Sequence, residues 1–215
     1  IIIFVFRAMP GPGAGLGWFD IDVLGFDQQF FSLLSLIASA LTLVGIVIFR
    51  PFMANNSIAR IIVILSIVGS ILFLPSVGMY YGFHNWTASL TNGVVDARFI
   101  AIINTALESP LGQVAMIPLL AWIAKNAPRH LKATFFAIFA SFTNLALSAN
   151  ALGTKYLNEI FTITREVKDK VTNAIVSSAD YSELGILLIA VTLLTLLIPI
   201  IAVWIVQKSK FKTNE

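Results

Sequence analysis

Five long apolar runs, at approximately residues 27 to 49, 58 to 80, 98 to 124, 131 to 154 and 182 to 206, constrain this chain more than any other feature. A helix rises about 1.5 Å per residue, so each run can cross a hydrocarbon core about 30 Å thick with some tilt. Inside that core every backbone N–H and C=O needs a partner within the protein, and a helix supplies it locally. A sixth apolar stretch opens the chain, with Ile1, Ile2, Ile3, Phe4, Val5 and Phe6 ahead of the break Pro10, Gly11, Pro12, Gly13. The helix before that break covers only about 14 Å, too little to span, so it reads as a helix whose beginning is missing. It lacks a charged leader and a small-residue cleavage site, and is not a signal peptide.

Composition agrees with this reading. Hydrophobic residues make up 58% of the chain and charged ones 12%, and the mean hydropathy is +0.89. The expected fold class is an all-α integral membrane protein with six transmembrane helices. The net charge of +3 does not point to a nucleic-acid partner, because the basic residues sit in short loops between spans rather than on one face. Arg50 and Arg60 flank one loop, Lys125, Arg129, His130 and Lys132 fill another, and Lys208, Lys210 and Lys212 form the tail. By the positive-inside rule these segments are cytoplasmic, C-terminus included, which gives a multi-pass protein of a plasma or inner membrane. Asp20, Asp22, Asp27, Asp96 and Asp180 fall on the other side, with the longest loop, from about Lys155 to Tyr181. In that loop Lys155, Arg165, Lys168 and Lys170 nearly balance Glu159, Glu166 and Asp169.

Several chemistries are disfavoured. There is no cysteine, and the two histidines, His84 and His130, are isolated, so neither a disulfide nor a metal centre is expected, and no cofactor. No nucleophile and base pair stands within a span, and no Gly-rich phosphate loop is present, which argues against an enzyme and against an ATP-driven pump. Nor is there a repeated filter-like loop of the kind a channel uses.

The residue that stands out is Glu108, ten residues into the apolar run that begins at Phe99. That depth is about 15 Å from Asp96 and Arg98, about the middle of the core. An acid there is costly unless it faces protein or water, so it marks a solute or proton pathway. Asn104, Glu108 and Gly112 recur every four residues and are expected to share a helix face, with Thr105 beside them. A carboxyl on that face that takes up and releases a proton would couple transport to a proton gradient. The structural alternative is a kink region in which a polar group satisfies carbonyls freed by Pro110 and Pro118. In the fifth run Thr134, Ser141, Asn144 and Ser148 form a polar stripe suited to a cavity wall. Close helix packing by Ala146, Ala149 and Gly153, with Asn144 as interhelical glue, reads the same residues differently. Arg7, beside the Pro-Gly break, is placed to attract an anion or to snorkel to the interface. Asp27 and Asp96 read as helix caps. Trp18, Tyr80, Tyr81 and Trp86 near one boundary, and Trp122 and Trp204 near the other, read as an aromatic belt.

Several segments carry a family likeness. Arg7, Ala8, Met9, Pro10, Gly11, Pro12, Gly13, then Trp18, Phe19, Gly25, Phe26 and Asp27, resemble the corresponding region of the folate-biopterin transporter family within the major facilitator superfamily. So do Glu108, Ser109, Pro110, Leu111 and Gly112, and the segment Ala140, Ser141, Phe142, Thr143, Asn144 with Leu152 and Gly153. The resemblance implies a secondary transporter of two six-helix halves working by alternating access, with a central cavity at their interface. Residues 1 to 215 would be its C-terminal half. The expected partners are then the lipid bilayer, a small folate- or pterin-like solute and the absent N-terminal half. The solute- or proton-binding candidates are Glu108, Asn104, Thr105, Asn144, Ser148, Ser141 and Arg7. The rival function is a non-transporting membrane scaffold on a degenerate transporter fold.

The loop charges generate a direct test of topology. With Asn56→Cys in the cysteine-free sequence, an impermeant maleimide added to intact cells should leave the residue unlabelled and react only after permeabilisation. Strong labelling from outside would reverse the assigned orientation.

Overall fold

The computed structural model describes residues 1–168 and 175–209. Asp169 and Lys170 of the long loop, and the tail lysines Lys210 and Lys212, lie outside the described residues, as do the side chains of Lys125 and Arg129. Ten α-helices follow one another: α1 (Ile2–Arg7), α2 (Ala14–Asp22), α3 (Gln28–Ile48), α4 (Arg50–Asn55), α5 (Ile58–Tyr80), α6 (Phe83–Leu90), α7 (Ala97–Glu108), α8 (Met116–Asn126), α9 (Lys132–Ile160) and α10 (Leu184–Lys208). Among the described residues five helical runs are long and apolar enough to cross a membrane: α3, α5, Ala97–Ala124, α9 and α10.

The helix starts follow from capping. Asp27 Oδ1 accepts from the Phe30 amide at 2.8 Å, Ser57 Oγ from the Arg60 amide at 3.3 Å, and Asp96 Oδ1 from the Phe99 amide at 2.8 Å. Each cap satisfies an amide that has no partner within its helix. The capping role expected of Asp27 and Asp96 is therefore observed. Arg98, however, pairs with Asp27 at 2.9 Å rather than with Asp96, which ties the start of α7 to the start of α3.

The helices α5 and α10 pack along each other most extensively. Their seam buries Leu184, Leu187, Leu188 and Val191 with Phe73 and Val77 beside them, and Ser70 Oγ donates to the Thr192 carbonyl at 3.5 Å. Helices in lipid associate by close packing and polar contacts, because lipid tails are as apolar as leucine. Gly185 permits such a contact, since a Cβ there would collide with the Tyr80 ring. Tyr80 Oη in turn donates to the carbonyls of Tyr181 and Ser182 at 2.9 and 3.0 Å. Around this pair the other helices bury far less: α3 buries Phe30 and Gly45, and α9 buries Ala146.

Two apolar clusters define the ends of the bundle. Leu119, Ile123 and Ala127 gather with Ile3, Ile58 and Phe139 at one end. Phe19 gathers with Leu184, Tyr80, Leu157 and Tyr181 at the other. The starts of α5 and α9 and the end of α8 thus share the first end, with the basic loops, and the acidic residues Asp22, Asp27, Asp96 and Asp180 share the second. That is the separation of charge expected from the sequence. The stretch from α1 through the break to α2 runs from the first end to the second.

Four features depart from the sequence reading. The fourth run is not one helix: α7 stops at Glu108, a 3-10 turn covers Ser109–Leu111, and α8 starts at Met116. Pro110 has no N–H to donate and its ring crowds the preceding turn, which favours a break in the α-helix there. The fifth run extends to Ile160 rather than ending near residue 154, because Leu157 and Phe161 pack with Phe19 of α2. The segments expected as loops around residues 14 to 22 and 83 to 90 are the short helices α2 and α6. Finally, the long loop is not all irregular. Strands β1 (Val167–Lys168) and β2 (Ile175–Ser177) pair antiparallel, with a bridge between Thr164 and Asp180. This ribbon is the exception to an otherwise all-α fold.

The interruption between α7 and α8 rests on α3. Thr42 Oγ1 donates to the Ser109 carbonyl at 3.0 Å, and Gly45 lies so close to Pro110 that any Cβ would overlap its backbone. Gly45→Ala should therefore destabilise the protein by about 1–3 kcal/mol through overpacking, read as a lower melting temperature in detergent. Gly69→Ala, in the open at α5, should leave it nearly unchanged. Equal behaviour of the two would show that α3 does not depend on this contact.

Candidate functional site

The site begins with a break in the chain. Pro10 and Pro12 carry no N–H, and Gly13 stands at φ 74°, a conformation natural to glycine. The helix α1 cannot pass this point, and its following backbone groups are left without helical partners. Three side chains of α9, spaced every four residues and so on one face, supply them. Asn150 Nδ2 donates to the Met9 carbonyl. The Gly11 amide donates to Thr154 Oγ1 at 2.9 Å. Asn158 Nδ2 donates to the Pro12 carbonyl at 3.4 Å and to the Thr154 carbonyl at 2.8 Å. Gly153, on the same side, brings its Cα close enough that a Cβ would lie 3.4 Å from Pro10 Cβ.

Arg7 closes the last turn of α1 immediately before this break. It faces a cavity of about 410 Å³, whose wall includes Phe4, Trp122, Phe139, Phe142 and Thr143. A volume of that order suits a small organic molecule. The guanidinium contacts Met116 Sδ from Nη1 at 3.9 Å, and its Nε is buried without a hydrogen-bond partner. Among the described residues no carboxylate forms an ion pair with it. Arg7 is thus among the residues that line the cavity. A half-buried guanidinium with an unfilled donor favours an anion. The aromatic walls offer flat apolar contact beside it.

The other candidates are placed differently. Glu108 ends α7, exposed, and is not part of the wall around Arg7. Asn104 and Gly112 do not share a face, because the turn at Pro110 resets the helical phase. Asn104 lines a shallow pocket with Leu72 and Pro75 of α5, its Oδ1 buried and unpartnered, whereas Gly112 lies against Thr42 of α3. Thr105 is half-buried, and its carbonyl accepts from Ser109 Oγ at 2.5 Å. Ser141, Asn144 and Ser148 are exposed on a face of α9 that no described element covers. Ser141 Oγ and Ser148 Oγ each bond a carbonyl one turn back, Ala137 and Asn144, at 3.0 and 3.1 Å. They therefore do not line the cavity around Arg7. The wall of α9 is made instead by Phe139, Phe142, Thr143 and Ala146. The sequence signal for the missed residues was the four-residue spacing of Asn150, Thr154 and Asn158, read against a proline-glycine break elsewhere in the chain. Trp122 serves the cavity wall, while Trp204 stays exposed with Lys208 Nζ 4.1 Å from its ring centroid, as an interfacial anchor would.

The far end of α2 is held to the long loop. Arg165 grips Asp22 with two hydrogen bonds of 2.9 and 2.7 Å, and Tyr181 Oη donates to the same carboxylate at 2.6 Å. The Arg165 and Tyr181 hydrogen bonds hold the Asp22 carboxyl below its ordinary range. The Tyr181 hydroxyl, partly desolvated and bonded to that carboxylate, is pushed up to about 12.

A helical membrane unit with a solute-sized cavity and a half-buried guanidinium on its wall belongs to the class of polytopic membrane proteins built around a polar site. Residues 1–214 match the BT1 family, and the chain belongs to it. The resemblance to folate-biopterin transporters drawn from the residues around Arg7, Glu108 and Ser141 thereby holds. The chain is 25% identical over 146 residues to a folate-biopterin transporter of Synechocystis sp., an alignment that covers 68% of the chain and 28% of that relative. It is 24% identical over 151 residues to a putative folate transporter 2 of Plasmodium berghei, covering 67% and 31%. Folate transporter 2 of Plasmodium falciparum is 23% identical over 145 residues, covering 67% and 30%. The aligned part of the chain thus spans about 30% of the length of these relatives, which are transporters rather than enzymes. No solved structure matches the chain.

Proposed function

We propose that residues 1 to 215 form the C-terminal six-helix half of a secondary transporter of the major facilitator type, which carries a folate- or pterin-like solute by alternating access. The observation that carries this reading is Arg7, half-buried, with its Nε unpaired, on the wall of a cavity that also carries Phe4, Trp122, Phe139 and Phe142. A folate presents a planar ring system and carboxylates, which suit those walls and that guanidinium respectively. The likeness to folate and folate-biopterin transporters favours the same solute class. In this reading α1, the break and α2 together make the sixth crossing, held in place by α9.

The uncovered face of α9 with Ser141, Asn144 and Ser148 then meets the other six-helix half, and the basic end of the bundle is cytoplasmic. Glu108, at the end of α7 where the fourth crossing is interrupted, carries the coupling proton. With Asn104 and Thr105 one turn before it, it forms the proton-handling part of the protein, separate from the anion site.

Uptake of radiolabelled folic acid into vesicles containing the full-length protein tests both parts. Arg7→Gln should raise the KM for folic acid at least about tenfold, the scale of one charged hydrogen bond. Glu108→Gln should preserve folate exchange and abolish accumulation driven by a pH gradient. An unchanged KM in Arg7→Gln would remove the cavity as the solute site. Undiminished uphill accumulation in Glu108→Gln would make Glu108 a structural acid. A full-length protein that moves no solute would favour the scaffold.

A further inference from the structure

We propose that Asn150, Thr154 and Asn158 of α9 are positioning residues for Arg7: by holding the backbone of Met9, Gly11 and Pro12 they fix the point at which α1 ends, and so the direction in which the guanidinium points. The proposal rests on the reading of the Arg7 cavity as the anion site, and it goes further by naming what sets that site's selectivity. Neither polar residues nor a helix break alone would carry it. Its basis is the one-to-one match between them, with the Met9 carbonyl, the Gly11 amide and the Pro12 carbonyl each taken by a different side chain of one helix face.

The lever is short. Arg7 precedes the first of these held groups by two residues and the last by five. Each residue of an α-helix turns the next by about 100°, so moving the end of α1 by a single residue would swing Arg7 off the cavity wall. The helix α1 has only six residues and no side-chain cap, so its end is set by few bonds of its own. At its end the Ala8 amide bonds the carbonyls of Phe4 and Val5, and beyond it the bonds from α9 take over. Thr154 is the centre of the device: its hydroxyl oxygen accepts from Gly11, and its carbonyl accepts from Asn158. In a hydrocarbon surrounding, an unmet Gly11 amide has no water to turn to and must seek a carbonyl, which means rewinding the break.

Thr154→Val keeps the size and removes the acceptor; Thr154→Ser keeps the acceptor. In full-length protein matched for abundance, Thr154→Val should raise the KM for folic acid about tenfold, change the maximal rate little, and affect 6-hydroxymethylpterin, which has no carboxylate, far less. Thr154→Ser should restore the wild-type KM. Because the effect acts through Arg7, Thr154→Val should add nothing to the KM of Arg7→Gln, which a general packing defect would not reproduce. Additive effects in that pair, or an equal rise for the uncharged pterin, would overturn the proposal. An independent arm needs no transport. Arg7→Cys in a cysteine-free background should react with an anionic methanethiosulfonate, and the added Thr154→Val should slow that reaction about tenfold as the position rotates away. Equal rates would overturn the positioning role even if folic acid is carried. A slowed reaction in a protein that carries no folic acid would support positioning while refuting the solute.

Discussion

A backbone group exposed within a hydrocarbon core has no solvent to bond, so each interruption of a helix there must be met by a neighbouring helix. Among the described residues two interruptions, before α2 and between α7 and α8, are met in this way. The one before α2 is met by three polar side chains of α9, and the one between α7 and α8 by Thr42 and the bare backbone of Gly45 on α3. The seam of α5 with α10 supplies the apolar support. The helices α3 and α9, which bury little else, are each committed to one break.

The consequence for chemistry is that a charge can be kept where a continuous helix would expel it. Arg7 sits at a helix end, next to the held break, and lines the cavity. In the proposed reading, an anion that enters recovers what the unpaired guanidinium lost. The broken fourth crossing leaves Glu108 at a comparable helix end, exposed on the uncovered side. A cation on a cavity wall and an acid on an exposed face divide the proposed work between solute and proton.

The crossings were legible in the sequence because a rise of 1.5 Å per residue and a 30 Å core leave little freedom in where an apolar run starts and stops, and because Asp27 and Asp96 mark helix starts by their side-chain chemistry. The gathering of basic loops at one end and acidic residues at the other was legible in the loop charges. What periodicity could not decide was which of two polar faces of α9 turns inward. Asn144 with Ser148 and Asn150 with Thr154 are equally regular, and only the distant Pro10, Gly11, Pro12 break, which needs partners, selects the second pair. The face shared by Asn104, Glu108 and Gly112 failed for a local reason, since Pro110 lies inside the pattern and resets its phase. The short helices α2 and α6, and the ribbon of β1 and β2, are held by packing and by contacts such as Arg165 with Asp22, which leave no periodic trace.

The claim on which the account rests is that the cavity beside Arg7 receives an anionic solute. Thr143 lies in its wall and bears no backbone duty, so Thr143→Cys in a full-length protein freed of other cysteines reports on the cavity directly. The rate of its reaction with a maleimide should fall as folic acid is added, with half-protection near the transport KM, and the protection should vanish in Arg7→Gln. A rate that is the same with and without saturating folic acid would contradict the account.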